Sequence, residues 1–392
     1  MSIIMKYIFL LSILSCVSLA AKAIDVSGNV AAELQFFPDT AQFAEQMDEN
    51  LTLSFQPKFR HSWSKGDDEL TVELFLRADS RDDNRQHADI REFKWLHVSG
   101  SDEWRVGINT VFWGVTESQH LVDVINQIDR LEGIDAEDKL GQPMVQYTTL
   151  QDWGNLHIFV MPGFREARFR SETGRLRFPF VVDSSQALYQ SSDEERHIDY
   201  ALRYDHYIGD TEFGLSIFDG TNREAEFRLL NNVLVPFYSQ MTQFGLDLQS
   251  IIGDWTWKVE AIHRSLDSGS FNAATAGFEY TFYGVLDSSV DMGTLLEYSW
   301  DSRDVNAPIF DSDIFGGFRF AFNDVQSSEV LAGLVVDTDK GSQSFRVEAS
   351  KRIGESWKLI GELQVFSHVD VSDPLKAFEQ DDYILLELAK YF

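Results

Sequence analysis

Almost the whole chain alternates between apolar and polar residues with a period of two. In "LTLSFQPKFR", residues 51–60, Leu51, Leu53 and Phe55 lie on one face and polar residues separate them. In "FGGFRFAFND", residues 315–324, Phe318 and Phe320 share a face opposite Arg319. A period of two sustained over about ten residues predicts a β-strand with one apolar and one polar face.

The sequence contains about 18 segments of this kind, and helical periodicity is convincing at only one place. We therefore predict an all-β chain. The segments begin near residues 25, 49, 69, 90, 104, 144, 155, 196, 211, 239, 254, 274, 291, 314, 328, 344, 356 and 381.

The connections between these segments alternate in length. Short ones, such as "DWGN" and "IGES", follow every second strand, and the long ones include residues 115–143, 165–195, 221–238 and 301–313. Tight turns at one end and long loops at the other are typical of a transmembrane β-barrel. The apolar faces also carry aromatic residues near strand ends, where they suit a membrane–water interface: Trp63, Trp104, Trp255, Trp257, Trp300 and Trp357.

The first 23 residues have the pattern of a secretory signal peptide. Lys6 precedes an apolar core, and Ala21-Lys22-Ala23 forms a small-x-small cleavage signal. We expect a mature chain of residues 24–392 that forms one barrel domain, since no linker divides it. The alternative is a lipoprotein signal with Cys16, the only cysteine of the chain, as the lipidated residue.

The mature chain is strongly acidic. The signal peptide holds two of the 33 basic residues and none of the 63 acids, so the mature balance is 31 − 63 = −32. This charge argues against a nucleic-acid partner, which requires a basic face. It is compatible with two interpretations, a charge that serves solubility or a surface that attracts cations.

The segment "DDYILLELAKYF", residues 381–392, alternates up to a final aromatic residue. Such a strand must pair with the first strand, or it leaves an exposed edge. The terminal aromatic resembles the assembly signal of Gram-negative outer-membrane barrels, and the mature chain resembles the porin-like members of that group. The resemblance implies an antiparallel transmembrane barrel of 16–18 strands in the outer membrane after Sec export. It also implies contact with outer-membrane lipid and lipopolysaccharide, and a homotrimer. We expect no cofactor and no metal.

The long connection 115–143 holds the one helical pattern. Thr116 and Gln119 fit a capping box, and Leu121, Val124 and Ile125 begin a helically spaced apolar series. In porins the third external loop often folds inward, carries a short helix and narrows the pore, and this segment is similar in position. Its charged residues are candidates for a constriction, or else solvate a surface loop: Glu117, Asp123, Asp129, Arg130, Asp135, Glu137 and Asp138.

Basic residues on the polar strand faces are candidates for the lumen wall, where rings of charge tune selectivity. Acids on the third loop would then face them across the pore, or the charges would pair within the wall and brace it. The wall candidates are Arg60, Arg77, Arg105, Arg203, Arg319, Arg346, Arg352 and Lys358.

The next long connection contains five arginines within thirteen residues of an otherwise acidic protein. Arginine suits carboxylate and phosphate groups, so the cluster could bind an anionic solute or lipopolysaccharide phosphates. Alternatively it pairs with the acids of the third loop. Its members are Arg165, Arg168, Arg170, Arg175 and Arg177.

These features together predict a passive channel for small polar or ionic solutes. Transport of apolar solutes is a further possibility, because the alternation also places four phenylalanines on the inner face: Phe75, Phe159, Phe218 and Phe366. A docking barrel for an envelope export or surface complex is the alternative. An enzyme is not expected, since the sequence lacks G-x-S-x-G, H-E-x-x-H and P-loop motifs.

Overall fold

A computed structural model describes residues 24–303 and 310–392, and in it 18 antiparallel strands form one sheet. The predicted signal peptide and Cys16 lie outside the described residues. The barrel strands are β1 (Asp25–Phe36), β2 (Glu49–Trp63), β3 (Asp68–Asp79), β4 (His87–Ser99), β5 (Asp102–Asn109), β6 (Gln142–Gln151), β7 (Gly154–Pro162), β9 (Ile198–Ile208), β10 (Thr211–Thr221), β13 (Gln240–Ile252), β14 (Trp255–Leu266), β15 (Gly269–Phe282), β16 (Asp291–Asp301), β17 (Ser312–Ala321), β18 (Glu329–Asp337), β19 (Gln343–Ile353), β20 (Trp357–Ser367) and β21 (Tyr383–Tyr391).

The sheet closes on itself because β21 pairs with β1. Ala31 lies opposite Ala389, and Gly28 exchanges backbone hydrogen bonds of 3.1 and 3.2 Å with Phe392. The predicted fold, including the pairing of the last strand with the first, is confirmed. All 18 predicted segments are strands, and the widest error is at β15, which begins at Gly269 rather than near 274.

The two ends of the barrel differ as the connection lengths predicted. The short-turn end holds connections such as 100–101, 152–153 and 209–210, and the long-loop end holds 110–141, 163–197 and 222–239. We call these last three loop 3, loop 4 and loop 5. Loops 4 and 5 also form a three-stranded sheet that the alternation did not predict: β8 (Leu188–Tyr189), β11 (Glu226–Leu230) and β12 (Val233–Tyr238).

The outer surface of the barrel is apolar and the inner surface is not. Trp104, Trp255, Trp257, Trp300 and Trp357 are all exposed on the outer wall. An apolar exterior suits lipid as the surrounding solvent. No helix among the described residues is long and apolar enough to cross a membrane.

The helix predicted in loop 3 was wrong. Residues 116–133 run as turns and extended chain. The backbone N–H groups of Ser118, Val122 and Asp129, for example, donate to Glu297, to Glu260 and to the carbonyl of Asp138 rather than to a preceding helical turn. The described helices are short 3₁₀ turns: Ser64–Gly66, Asp83–Arg85, Ser184–Gln186, Glu194–Arg196, Val285–Asp287 and Pro374–Phe378.

A β-bulge interrupts the pairing of β3 with β4. Glu73 lies opposite Glu92 and Leu74 opposite Ile90, so Arg91 is an extra residue in β4. A bulge re-aims side chains, and here Arg91 and Glu92 are both buried inside the barrel. The bulge therefore adds a basic side chain to the lumen that simple alternation does not place there.

Candidate functional site

Loop 3 crosses the inside of the barrel and is bound by carboxylates on the opposite wall. Glu260 of β14 accepts hydrogen bonds from the backbone N–H groups of Val115 (2.7 Å) and Thr116 (3.0 Å). Glu297 of β16 accepts them from the backbone of Glu117 (2.8 Å) and Ser118 (2.8 Å). Hydrogen bonds to ionised acceptors are roughly twice as strong as neutral ones. These two wall carboxylates fix the first part of the loop.

The apolar side of loop 3 packs on an apolar patch of the inner wall. Val122, Val124 and Ile125 are buried in one cluster with Phe159 of β7 and Phe218 of β10. The two phenylalanines do face inward, as alternation predicted. However, the loop covers them, so they stabilise the loop and do not line an open passage.

Two ion pairs join loop 3 to the wall on either side of β18. Glu117 lies 2.6 Å from Arg319 of β17, and Asp135 lies 2.7 Å from Arg346 of β19. These are two of the acid–base contacts across the lumen that the sequence suggested. A third joins Glu132 to Arg77 of β3 at 2.5 Å.

The other predicted wall bases lie outside these loop contacts. Three pair with acids of the wall itself: Arg60 with Glu69 (3.5 Å), Arg105 with Glu103 (2.6 Å) and Arg203 with Asp247 (2.6 Å). Arg352 and Lys358 lie opposite each other on β19 and β20, near the short-turn end. Some of the predicted wall bases therefore face acids of loop 3 across the lumen, and others pair with acids of the wall itself.

The acids of loop 3 divide into buried and open groups. Asp123 pairs with Lys139 at 3.1 Å and Asp129 with Arg91 at 2.7 Å, and both carboxylates are almost fully buried. Glu137 and Asp138 are exposed. Glu117 and Asp135 are half-buried, so Glu137 and Asp138 are the most exposed of the predicted acids of loop 3.

Two loop 3 groups have unusual protonation. Burial alone would lower the pKa of His120, but its hydrogen bond to Glu137 and the Glu260 carboxylate 3.8 Å away outweigh burial and raise that pKa to about 10. The pKa of Asp138 is raised to about 7. The causes are the protein atoms packed around its carboxyl group and the negative charges of Glu132 and Asp135, although part of the residue is exposed. His120 is thus a cation at neutral pH, and Asp138 is only partly ionised there.

The arginines of loop 4 do not act as one cluster. Arg165 pairs with Asp89 at 2.7 Å, and Arg175 pairs with Asp381 at 2.6 Å. Arg177 lies over the ring of Phe43, and its guanidinium donates to carbonyls of its own loop.

The other three arginines that the sequence singled out in loops 3 and 4 are half-buried or buried. Burial and the nearby Arg85 lower the pKa of Arg170 to about 10, and Arg168 is half-buried. Arg130 of loop 3 lies near Glu224, and burial lowers its pKa. Among the described residues, the ion pairs of the loop 4 arginines go to acids outside loop 3.

Sequence reasoning missed two further arginines that hold the loops. Arg85 is buried and pairs with Glu33 (3.2 Å) and Asp79 (2.9 Å). Arg223 of loop 5 donates to the carbonyl of Ile125 at 3.1 Å, and so holds loop 3 from a second side. Both lie in connections, where no periodicity signals the direction of a side chain.

Comparisons with known proteins agree with this fold. A BenF-like porin from Pseudomonas fluorescens aligns at a TM-score of 0.54 and 11% identity, over 95% of this chain and 98% of the porin. OmpT of Vibrio cholerae, described as a trimer form, aligns at 0.48 and 10% identity, over 94% of this chain and 99% of OmpT. A mutant of the Rh. blastica porin aligns at 0.47 and 13% identity, over 94% and 100%. No protein-family model matches the sequence, and a search of curated proteins finds no match.

Proposed function

We propose that this porin-like barrel is an outer-membrane channel for passive diffusion of small polar or ionic solutes, narrowed by loop 3. An 18-stranded barrel is too wide for wall side chains alone to fill. What decides its permeability is therefore the loops inside it. The observation that carries the proposal is the attachment of loop 3 to the wall on the far side of the barrel, through Glu260 and Glu297.

Loop 3 leaves one part of the inner wall open. The side chains of Arg319 and Glu348 are 41% and 43% exposed, whereas Glu260 beneath the loop is 0% exposed. Solutes would pass between loop 3 and the wall formed by β17 to β20. The ion pairs Glu117–Arg319 and Asp135–Arg346 would frame this opening.

The charge beside the opening favours cations. Glu137 and Asp138 are exposed on the loop side, where His120 offsets part of the charge of Glu137 and Asp138 is partly ionised. Arg346 on the wall is already paired with Asp135, Glu348 and Glu362. Open carboxylates raise the local concentration of cations. We therefore propose weak cation selectivity.

The test is single-channel conductance of residues 24–392, refolded and inserted in a planar bilayer under a salt gradient. Steady conductance with a reversal potential on the cation side is expected. A folded, inserted barrel without conductance would contradict the proposal.

The selectivity is tested with Glu137→Gln and Asp138→Asn together. Removing the two exposed acids should move the reversal potential toward zero by several millivolts, since less fixed negative charge remains beside the opening to attract cations. Asp254→Asn, an exposed acid on a short turn, is the matched control and should leave the potential unchanged. An equal change in both variants would mean that loop 3 does not set selectivity.

The cellular setting is part of the proposal. We propose outer-membrane location after removal of residues 1–23, with lipid and lipopolysaccharide around the apolar exterior. The expected homotrimer stays a prediction, which mass measurement of the detergent-solubilised protein would test.

A further inference from the structure

Three buried side chains direct acceptor atoms at one another where loop 3 meets β4. One ligand atom from each of His87, Asp129 and Glu132 lies within 4.8 Å of the others. The side chains are nearly or fully buried, with exposed fractions of 8% for His87, 0% for Asp129 and 6% for Glu132. His87 belongs to the wall, and the two acids belong to loop 3.

The tautomer of His87 is fixed by its other nitrogen. His87 Nδ1 lies 3.1 Å from the backbone carbonyl of Arg85. A carbonyl can only accept, so Nδ1 carries the proton and the neutral ring presents a lone pair at Nε2. This is the arrangement of metal-binding histidines, whose second nitrogen is held by a carbonyl or carboxylate.

The lone pair at His87 Nε2 faces another acceptor. Glu132 Oε1 lies 3.7 Å away, and neither atom has a hydrogen-bond donor among the described residues. Asp129 Oδ2 also lacks a hydrogen bond, although Arg91 Nη1 forms an ion pair with it at 2.7 Å. Buried acceptors without donors are costly, and a cation between them would satisfy them together.

The surrounding charges leave room for such a cation. Ion pairs connect five carboxylates with four guanidinium groups around the site, which leaves one net negative charge. The members are Glu33, Asp79, Asp89, Asp129 and Glu132 with Arg77, Arg85, Arg91 and Arg165. Two further cations lie nearby and compete with a metal ion, because Arg168 acts electrostatically on His87 and Arg170 on Glu132.

We propose that His87, Asp129 and Glu132 form a binding site for a divalent transition-metal cation of the Zn²⁺ type. One imidazole and two carboxylates suit this class better than Mg²⁺, which prefers oxygen ligands. Bonds of about 2.0–2.2 Å to zinc place ligand atoms roughly 3.4 Å apart, so the His87–Glu132 pair, at 3.7 Å, needs to contract by only a few tenths of an ångström. All three ligand atoms lie within 4.8 Å of one another, so no pair needs to contract by more than about 1.4 Å. The ion ties loop 3 to the β4 wall. This differs from the expectation from sequence, which was that the chain binds no metal.

The experiment is calorimetric titration of Zn²⁺ into the refolded barrel of residues 24–392 in detergent, with Mg²⁺ as the comparison. We expect one saturable Zn²⁺ site per chain and much weaker Mg²⁺ binding. His87→Ala and Glu132→Gln should each lower Zn²⁺ affinity at least tenfold. His157→Ala removes a lumen imidazole with a single carboxylate partner, Asp205 at 2.7 Å, and should leave the affinity unchanged.

Folding of every variant is checked by heat-dependent electrophoretic mobility. No saturable Zn²⁺ binding by the folded wild type would overturn the proposal, and so would equal affinity in His87→Ala and His157→Ala. If neither site variant folds, X-ray absorption of the zinc-loaded wild type decides instead. One imidazole ligand is then expected, and a shell without imidazole would exclude the site. None of these readouts depends on conductance, so the channel proposal can fail separately.

Discussion

At the scale of single residues, charged side chains inside this barrel pair with partners that are far away in the sequence. Asp135 and Arg346 are 211 positions apart, yet they lie 2.7 Å from each other. Alternation could place Arg346 on the inner wall because the direction of a strand side chain is a local property. It could not choose the partner, since that depends on where loop 3 crosses the barrel.

His120 is the residue whose protonation should affect stability most clearly. Both ring nitrogens face carboxylates, at 3.0 Å to Glu137 and 3.8 Å to Glu260, and Asp123 adds a further nearby charge. The hydrogen bond to Glu137 and the nearby charge of Glu260 raise the pKa of His120 to about 10, against the opposing effect of burial. The folded chain therefore binds a proton that the unfolded chain releases at a pKa of about 6.5.

The resulting pH dependence has a definite sign. The stabilisation by His120 is complete below about pH 6.5 and is lost as the pH rises toward 10, because only the folded state retains the proton in that window. The effect is on the order of 4 kcal/mol at its maximum. Urea unfolding of the wild type and of His120→Gln, in vesicles from pH 6 to pH 10, should show a difference that shrinks with rising pH. A constant difference would mean that His120 is neutral in the folded state.

At the scale of elements, strands were predictable and loops were not. A segment of about ten alternating residues was enough to predict where each barrel strand begins, as at β2 and β19. Loop 3 has the apolar spacing of a helix, but Val122, Val124 and Ile125 instead pack on the wall. Its backbone partners come from Glu260, 144 positions away from Thr116. A local pattern cannot anticipate a hydrogen-bond partner from the opposite wall.

Glu260→Ala should therefore release loop 3 without opening the barrel. The substitution removes the acceptor for the backbone N–H groups of Val115, Thr116 and Val122, at a cost on the order of 3–5 kcal/mol. We expect larger and noisier single-channel conductance. Glu73→Ala is the control, because Glu73 pairs with Lys58 within the wall at 2.7 Å. Unchanged conductance in a folded Glu260→Ala barrel would show that the other contacts of loop 3, such as those to Glu297 and Arg346, hold it without Glu260.

At the scale of the whole molecule, the pairing of β1 with β21 converts an open sheet into a barrel. Every strand of the 18-stranded sheet then has two neighbours, which satisfies backbone groups that lipid cannot solvate. The acidic composition does not oppose this exterior, because the ion pairs of the wall face inward and the exposed outer side chains are apolar. Closure is thus the condition on which both the membrane-facing surface and the enclosed loop 3 depend.

Closure is testable with a designed disulfide between the first and last strands. Ala31 and Ala389 lie opposite each other and both are buried on the inner face. Directly paired residues of antiparallel strands have Cα atoms about 4.5–5.5 Å apart, within the range that a disulfide spans. Residues 24–392 contain no cysteine, so Ala31→Cys with Ala389→Cys should oxidise to a single intramolecular bond.

The control shifts the register by one residue. Leu388 is exposed on the outer face, so Ala31→Cys with Leu388→Cys places the two thiols on opposite sides of the sheet, and they should not join. Non-reducing electrophoresis after oxidation distinguishes the two variants. The cross-linked barrel should also resist heat longer than its reduced form, since the link keeps the two edge strands together. Efficient cross-linking of the shifted pair, or none in either variant, would mean that β1 and β21 do not close the barrel in this register.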